Sequence, residues 1–446
     1  MIFTLGPKLH ITGLSSSQLE EVKTLCTFKN PAWKAWERQN NLYPKFKKEE
    51  PDKYIFTFEQ KNNEIYVPTY LKADLILKFR PDKVIDRRVD PILNIKLNKN
   101  FEHRTGQEEA VNVLYKNEYG TLSAPCGSGK TTMALSLIHK LNRNAIILVH
   151  TDLLLKQTIL EVKNKLGVEA GIIGGGKWDI KPITVATVQT LARRDLSEIK
   201  KYFGVLVSDE VQFFAAPTFV NVIQQFHAKY KYGFSATPTR SDGLDAITAQ
   251  TLGPVIHKID TSVPQKAGAT IKPTYEFIDT PYVPKRIYDS WQLPQHINAL
   301  TKDKKRNEFI VQKIKKDLKG FTLVLTDRIE HLVYLEKELQ CFNPEVYHGK
   351  LTKKERQAIK EKWLNKSVKL TIATVDSLGV GTDVPFWEEV WLTTPTSNFN
   401  RLTQIAGRVS RMVFGKTYAK IWDFTDPNDP VLALKAKKRK EIYEQL

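Results

Sequence analysis

Cysteine is scarce: only Cys26, Cys126 and Cys341 occur in 446 residues, and no two form a CxxC pair. Such a chain supports neither a disulfide framework nor a cysteine-based zinc site. No stretch approaches the roughly 18 consecutive apolar residues that span a bilayer, and the opening MIFTLGPKLH lacks the apolar core of a signal peptide. Low-complexity tracts and short-period repeats are missing as well. With 41% hydrophobic and 26% charged residues, the composition excludes a disordered chain. These absences predict a soluble, intracellular, cytoplasmic protein that has no membrane partner. At roughly 100–200 residues per domain it has two to four domains.

What is abundant is positive charge. The 68 Lys and Arg against 49 Asp and Glu leave +19, with pI ≈ 9.5. An anionic polymer is the first partner this suggests, and plain solubility is the alternative. The excess is +6 in residues 1–100, only +3 in 101–260, and +10 in 261–446. A polyanion-binding surface would therefore come mainly from the two ends of the chain.

Residues 1–95 read as a small basic α+β module. Leu14–Leu25 fits a helix, and Tyr54–Phe58 with Glu64–Val67 fits a hairpin across Lys61-Asn62-Asn63. Between these elements, Trp33, Trp36 and Tyr43 interleave with Lys34, Arg38, Lys45, Lys47 and Lys48. Aromatic faces stack on bases while cations meet phosphate, so this is a candidate nucleic-acid surface. Two tryptophans three apart on a helix are equally a core pair.

From residue 96 short buried runs alternate with helices. Ala145–Val149, Ile183–Ala186, Val205–Ser208 and Tyr232–Ser235 are strand candidates, with Thr131–Leu141 and Leu153–Leu166 helical between them. A second series comprises Thr322–Leu325, Leu370–Ala373, Val390–Leu392 and Ala419–Trp422. The alternation predicts an α/β fold of two tandem doubly wound parallel sheets, at 96–260 and 306–446. Six prolines between Pro254 and Pro294 place a linker at 261–305.

The strongest local feature is Ala124-Pro125-Cys126-Gly127-Ser128-Gly129-Lys130-Thr131-Thr132, a P-loop pattern except for Ala124 at the first glycine. Gly127 and Gly129 let backbone N–H groups wrap phosphate oxygens, and the following helix directs its positive end at the same anion. Lys130 would neutralise the β- and γ-phosphates, and Thr131 would ligate Mg²⁺. Cys126 reads as a packing residue. Hydrolysis also needs carboxylates, and Val205–Ser208 delivers Asp209 and Glu210 at a strand's carboxyl end. Asp209 would hold Mg²⁺ and Glu210 would polarise the attacking water.

With these motifs in order, the chain resembles the superfamily 2 helicases, which have two RecA-like domains. The resemblance covers roughly residues 104–425. Arg104 and Gln107 resemble the adenine-reading element, and Asp209-Glu210-Val211-Gln212 resembles the DExx box. Ser235-Ala236-Thr237-Pro238 resembles the motif that couples nucleotide to nucleic acid. Gly379, Gly381 and Asp383 lie in a stretch similar to motif V. Gln404, Gly407, Arg408 and Arg411 match the QxxGRxxR of motif VI. On one helix Gln404, Arg408 and Arg411 would share a face able to stabilise γ-phosphate charge.

Ser235–Gly243 and Leu323–His331 resemble most the XPB/UvsW/RecG-like group, and the small N-terminal module before the motor resembles phage branch-migration helicases of the UvsW type. That likeness implies ATP and Mg²⁺ as cofactors, with Gly381 and Asp383 joining the P-loop residues, Arg104 and Gln107 around the nucleotide. It implies nucleic-acid contacts from Thr151, Gln189, Thr190, Arg240, Asp327, His348, Gly349, Thr374, Ser377 and Gly379. The implied substrate is branched or forked DNA, moved 3′ to 5′, with replication or recombination proteins as partners. An RNA-remodelling helicase and the motor of a larger complex, such as a restriction translocase, are the alternatives. The basic run Lys302–Lys319, Arg306 included, is a candidate for gripping duplex arms or a solvated helix face.

Overall fold

The computed structural model describes residues 1–42, 49–98, 100–211, 217–236, 244–266, 268–290, 292–378, 386–396 and 398–444. They divide into two compact units, one of residues 1–124 and 129–259, the other of residues 125–128 and 260–446.

The first unit opens with β1 (Ile2–Leu5), β2 (Lys8–Thr12), α1 (Ser16–Leu25), β3 (Thr27–Lys29), α2 (Pro31–Leu42) and β4 (Tyr54–Phe56). There follow β5 (Glu59–Lys61), β6 (Glu64–Pro68), α3 (Lys72–Phe79) and β7 (Lys83–Asp86). Five strands form a sheet in the order β5-β6-β2-β1-β7, with only β1 and β7 parallel. Alternating Leu9 and Ile11 on β2 and Ile65 and Val67 on β6 point to one face, where they pack with Val22 of α1 and Leu75 of α3. A capping box between Ser15 and Gln18 starts α1.

The hairpin here differs from expectation. β6 turns back onto β5 through Asn62, whose φ is 52°, a left-handed conformation asparagine tolerates. β4 pairs instead with the distant β3. Trp33 and Trp36 of α2 lie half-buried outside this core, and Trp33 donates its indole N–H to Glu50 at 3.1 Å. Tyr43, Lys45, Lys47 and Lys48 lie outside the described residues.

The remainder of the first unit holds α4 (Gln107–Tyr115), β8 (Tyr119–Ser123), α5 (Lys130–Leu141), β9 (Ala145–Val149), α6 (Asp152–Leu166), β10 (Gly171–Gly174) and β11 (Lys177–Asp179). It continues with β12 (Ile183–Thr187), α7 (Val188–Leu191), β13 (Val205–Asp209), α8 (Pro217–Ile223), β14 (Tyr230–Ser235), α9 (Asp245–Leu252) and β15 (Val255–Lys258). The sheet order is β11-β10-β12-β9-β13-β14-β8-β15, parallel except for the β10–β11 pair. β8, β9 and β12 are buried along their full length, which is why they read as continuous apolar-leaning runs.

Residues 86–93 lace the N-terminal sheet to the amino ends of the strands of the larger parallel sheet. Val89 donates its N–H to His227 at 2.8 Å and accepts from Lys229 at 3.2 Å. Leu93 donates to Asn142, and Pro91 accepts from Asn144, both at 3.1 Å. Asp90 takes Arg143 at 2.6 Å and Lys229 at 3.2 Å, while Arg88 joins Asp86 and Glu118.

The second unit holds α10 (Ser262–Lys266), β16 (Thr274–Asp279), α11 (Leu293–Thr301), α12 (Lys304–Asp317), β17 (Thr322–Thr326), α13 (Ile329–Glu338) and β18 (Glu345–Tyr347). After these come α14 (Lys353–Leu364), β19 (Leu370–Thr374), β20 (Glu389–Leu392), α15 (Phe399–Val409), β21 (Lys420–Thr425) and α16 (Pro430–Glu444). Its sheet, β16-β21-β20-β17-β19-β18, is parallel throughout. Two tandem α/β units with doubly wound parallel sheets, the expected class, are present. The stretch 261–305, read as a linker, differs: it supplies the edge strand β16 and the helix α11. Its prolines sit outside β16 and at the start of α11, positions that need no backbone donor.

Arg306 also departs from the reading of a solvated basic face. It is fully buried, bonded to Asp426 at 2.6 and 3.1 Å and to the Thr393 carbonyl at 2.9 Å. Among the described residues no helix is long and apolar enough to cross a membrane.

Candidate nucleotide-binding site

The P-loop joins β8 to α5. Gly127 and Gly129 take φ of 80° and 82°, where a side chain would be strained. A Cβ on Gly129 would also lie 2.4 Å from the Gln107 amide nitrogen. Gln107 itself is buried, donates its backbone N–H to the Arg104 carbonyl at 3.0 Å and accepts from the Arg104 N–H at 2.9 Å. The structure thus packs Gln107 against the P-loop glycine and ties Arg104 to Gln107. Lys130 folds back to donate to the Ala124 carbonyl at 3.2 Å, and Ala124 is tied to the Ser235 carbonyl at 2.8 Å. Pro125, Cys126 and Ser128 complete the loop, and Thr131 and Thr132 open α5.

Asp209 ends β13, beside Phe234 of β14. Lys130, Thr131 and Asp209 meet at one small void whose other walls include the core residues Leu135, Ile147, Val207 and Phe234; Asp209 itself ends β13, at the carboxyl side where open α/β sheets bind ligands. Burial and the neighbouring Glu210 push the Asp209 carboxyl up to about 7, opposed by Lys130. A divalent cation would relieve this by favouring the ionised form. Thr131 and Asp209 are the residues able to hold it, and the left-handed glycines with Lys130 fit a triphosphate. Glu210 has a φ of 59°, an uncommon conformation for a glutamate that costs about 1 kcal/mol or more. Val211 next to it is fully buried against Gly233, so packing on one side holds the turn that presents Glu210.

The residues read as nucleic-acid contacts sit at carboxyl ends of strands. In the first unit Thr151 caps α6 by accepting from Leu154 at 3.2 Å. Gln189 donates to the His150 carbonyl at 2.8 Å, and the Thr190 and Thr187 hydroxyls are 2.8 Å apart. In the second unit, Asp327 follows β17, His348 and Gly349 follow β18, and Thr374 ends β19. Ser377 donates to both the Tyr347 and the Thr374 carbonyls, at 2.9 and 2.7 Å, so these loops are brought together. Burial raises Asp327 above the usual carboxylate range, with Arg401 opposing. Arg401, which bonds Asp376 and lies 3.6 Å from Asp327, was missed by sequence reasoning. Its place three residues before Gln404 on α15 was the signal available.

Gln404 and Arg408 lie on α15, and Arg408 donates to the Leu378 carbonyl. The single helix face expected for Gln404, Arg408 and Arg411 needs correction. α15 ends at Val409, and Arg411 lies beyond it in a bridge with Thr270. Gln212, Thr237, Pro238, Arg240, Gly379, Gly381 and Asp383 lie outside the described residues.

Comparison with known proteins follows this division. Residues 100–240 match the family described as type III restriction enzyme, res subunit, and residues 305–413 match the helicase conserved C-terminal domain. A protein of Acanthamoeba polyphaga mimivirus, provisionally named the ATP-dependent RNA helicase L396, is 26% identical over 91% of this chain and 79% of its own length. The DNA 3′-5′ translocase XPB2 of Sulfurisphaera tokodaii is 30% identical over 57% of this chain, which spans about half (53%) of that relative. Among solved structures, the type ISP restriction–modification enzyme LlaBIII bound to DNA shares the fold. Its TM-score is 0.58 at 13% identity, over 83% of this chain and 32% of that one.

Proposed function

We propose that the chain is an ATP-hydrolysing helicase of superfamily 2, that its track is DNA and that it remodels branched or forked DNA; the two helicase-type models and the helicase-named relatives support the first part. The observation that carries the catalytic part is the convergence of Lys130 and Thr131, at the start of α5, with Asp209, at the carboxyl end of β13. In this reading the backbone from Pro125 to Gly129 wraps the phosphates and Lys130 neutralises them. Arg104 and Gln107 hold the base. Thr131 and Asp209 would hold Mg²⁺, which when bound would supply Lewis-acid polarisation of the phosphoryl group. Glu210 orients the attacking water, and Gln404, Arg408 and Arg411 meet the charge that develops in the transition state. Thr151, Gln189, Thr190, Asp327, His348, Gly349, Thr374 and Ser377 contact the nucleic acid. Alternate grip and release moves the motor 3′ to 5′.

The DNA assignment draws on the similarity to the archaeal DNA translocase. An RNA substrate is the second reading, favoured by the name of the mimivirus relative. ATP hydrolysis measured with forks, Holliday junctions, blunt duplex, single strands and RNA hybrids under identical conditions separates the two. DNA forks and junctions should stimulate most and be unwound; stimulation by RNA alone would refute the DNA reading. Lys130→Ala and Arg408→Ala should each lower turnover by at least about a hundredfold, and wild-type-like turnover in either would refute the site.

A further inference from the structure

A cleft of about 800 Å³ opens within the first unit, between the β1–β2 turn and the amino ends of β13 and β14. Lys8 lines it from the start of β2, Arg87 from the lacing segment, and Lys200, Gln224 and His227 from the connections that lead into β13 and β14. Lys8 is paired with Glu59 at 2.5 Å. Among the described residues neither Arg87 nor Lys200 has a carboxylate within ion-pair distance, although hydrogen bonds and then Lys200 hold the Asp195 carboxyl below its ordinary value, and Arg87 is exposed. Burial holds the His227 imidazole below its ordinary value, a hydrogen bond with the Arg87 backbone opposes this, and Lys201 and Lys200 add to the lowering.

Two buried polar atoms in the same wall lack partners. Gln224 is only 7% exposed, and its amide nitrogen has no acceptor. The Nδ1 of His227 is likewise unpaired, although the backbone of His227 is fixed by bonds to Lys200 and Val89. A buried donor without an acceptor loses its hydration for no return. An anionic oxygen in the cleft would supply the acceptor to Gln224 and a counter-charge to Arg87 and Lys200. The wall offers no bare aromatic face. Tyr66 is stacked on His10 at 4.3 Å, with Lys61 above its ring at 5.9 Å. The chemistry suits a phosphodiester backbone rather than a base.

The cleft lies at the opposite end of the strands from the P-loop. β13 runs from Val205 near the cleft to Asp209 at the nucleotide site, about 17 Å at roughly 3.3 Å per residue. Thr151, Gln189 and Thr190 also stand at carboxyl ends. The cleft is therefore separate from both the nucleotide site and the track.

We propose that this cleft holds the phosphate backbone of a second nucleic-acid arm, not the strand that the motor follows. The proposal rests on the reading that the substrate is a branched nucleic acid. Arg87 and Lys200 neutralise phosphates, and Gln224 donates to a phosphate oxygen. Contact is independent of sequence and sensitive to salt.

The test uses the full chain with the surface double variant Arg87→Glu/Lys200→Glu and, separately, Gln224→Leu. Binding of a labelled fork and of a labelled single strand is followed by anisotropy across salt concentrations. The double variant should bind the fork about tenfold more weakly and lose about two from the slope of log affinity against log salt, at about 0.9 per phosphate released. Gln224→Leu should weaken the fork by about threefold while leaving the salt slope nearly unchanged, because it removes no charge. Single-strand affinity and strand-saturated ATP turnover should stay at wild-type levels. Unchanged fork affinity and slope in the double variant would overturn the proposal. A parallel loss of saturated turnover would do the same, by placing these residues on the track. Micromolar binding of inorganic pyrophosphate to wild type but not to the double variant would assign the cleft to a small ligand instead. A wild-type chain that binds no fork would overturn the branched-substrate reading itself.

Discussion

Lys231 is a lysine inside a parallel sheet. It lies on β14, 2% exposed, and its ammonium donates one hydrogen bond, to the Ile223 carbonyl at 3.3 Å. Burial, and then the nearby Arg88 guanidinium, push its pKa down to about 7 from the ordinary 10.5. A gap of about 3.5 pH units corresponds to about 5 kcal/mol. Relaxation and water entry reduce such penalties, so about 2 kcal/mol is the expected net cost of the charged form. The sign follows from proton counting. Between pH 7 and 10.5 the unfolded chain holds the proton and the folded chain does not, so stability rises with pH across that window. Below pH 7 the full penalty applies.

Lys231→Met keeps the length and removes the charge. At pH 6.5 it should raise the melting transition of the first unit by about 4–8 °C, at about 2–4 °C per kcal/mol for a domain of this size. The gain should shrink steadily towards pH 10. Calorimetry is the suitable probe, since four of the seven described tryptophans (Trp363, Trp387, Trp391 and Trp422) belong to the second unit. A melting point lowered at pH 6.5, or a gain that stays flat from pH 6 to 10, would refute the reasoning.

Gly129→Ala places a methyl group 2.4 Å from the Gln107 amide at φ 82°; it should cost about 1–2 kcal/mol and weaken nucleotide binding, read by titration with a fluorescent ATP analogue. Glu210→Gly removes the left-handed strain at φ 59° and should leave stability unchanged or about 1 kcal/mol higher, while multiple-turnover hydrolysis is lost. Arg306→Met strands the buried Asp426 carboxylate and should destabilise the second unit by about 3–5 kcal/mol, measured by chemical denaturation. Trp391→Ala breaks a stack on Trp422 with centroids 4.4 Å apart and should cost about 3–5 kcal/mol by the same measurement.

Much of the motor was legible in the sequence because its central strands are buried on both faces and read as short uninterrupted runs. Ala145–Val149 and Leu370–Thr374 are examples. The nucleotide site was legible for a related reason: a glycine loop and a carboxylate pair each need their residue types at fixed spacing. Pairing between distant segments left no such trace. Tyr54–Phe56 chose β3 rather than its neighbour β6. Arg306 looked like one more cation in a lysine-rich helix because its partner Asp426 lies 120 residues away. β16 was hidden among prolines that border it without interrupting it. Arg411 was placed on a helix by its spacing, yet Ser410 already caps that helix.

The segment from Asp86 to Leu93 has a mechanical meaning. It is stitched by backbone bonds to His227, Lys229, Asn142 and Asn144, and by the Asp90 carboxylate to Arg143 and Lys229. A second attachment runs through Gln250, which accepts from Thr57 at 2.7 Å and donates to the Leu25 carbonyl at 2.9 Å. Load applied to the N-terminal sheet therefore passes into the motor strands in shear across several parallel bonds rather than through one tether. Pulling the N-terminal sheet away from the rest of the first unit must break these bonds together, not one after another.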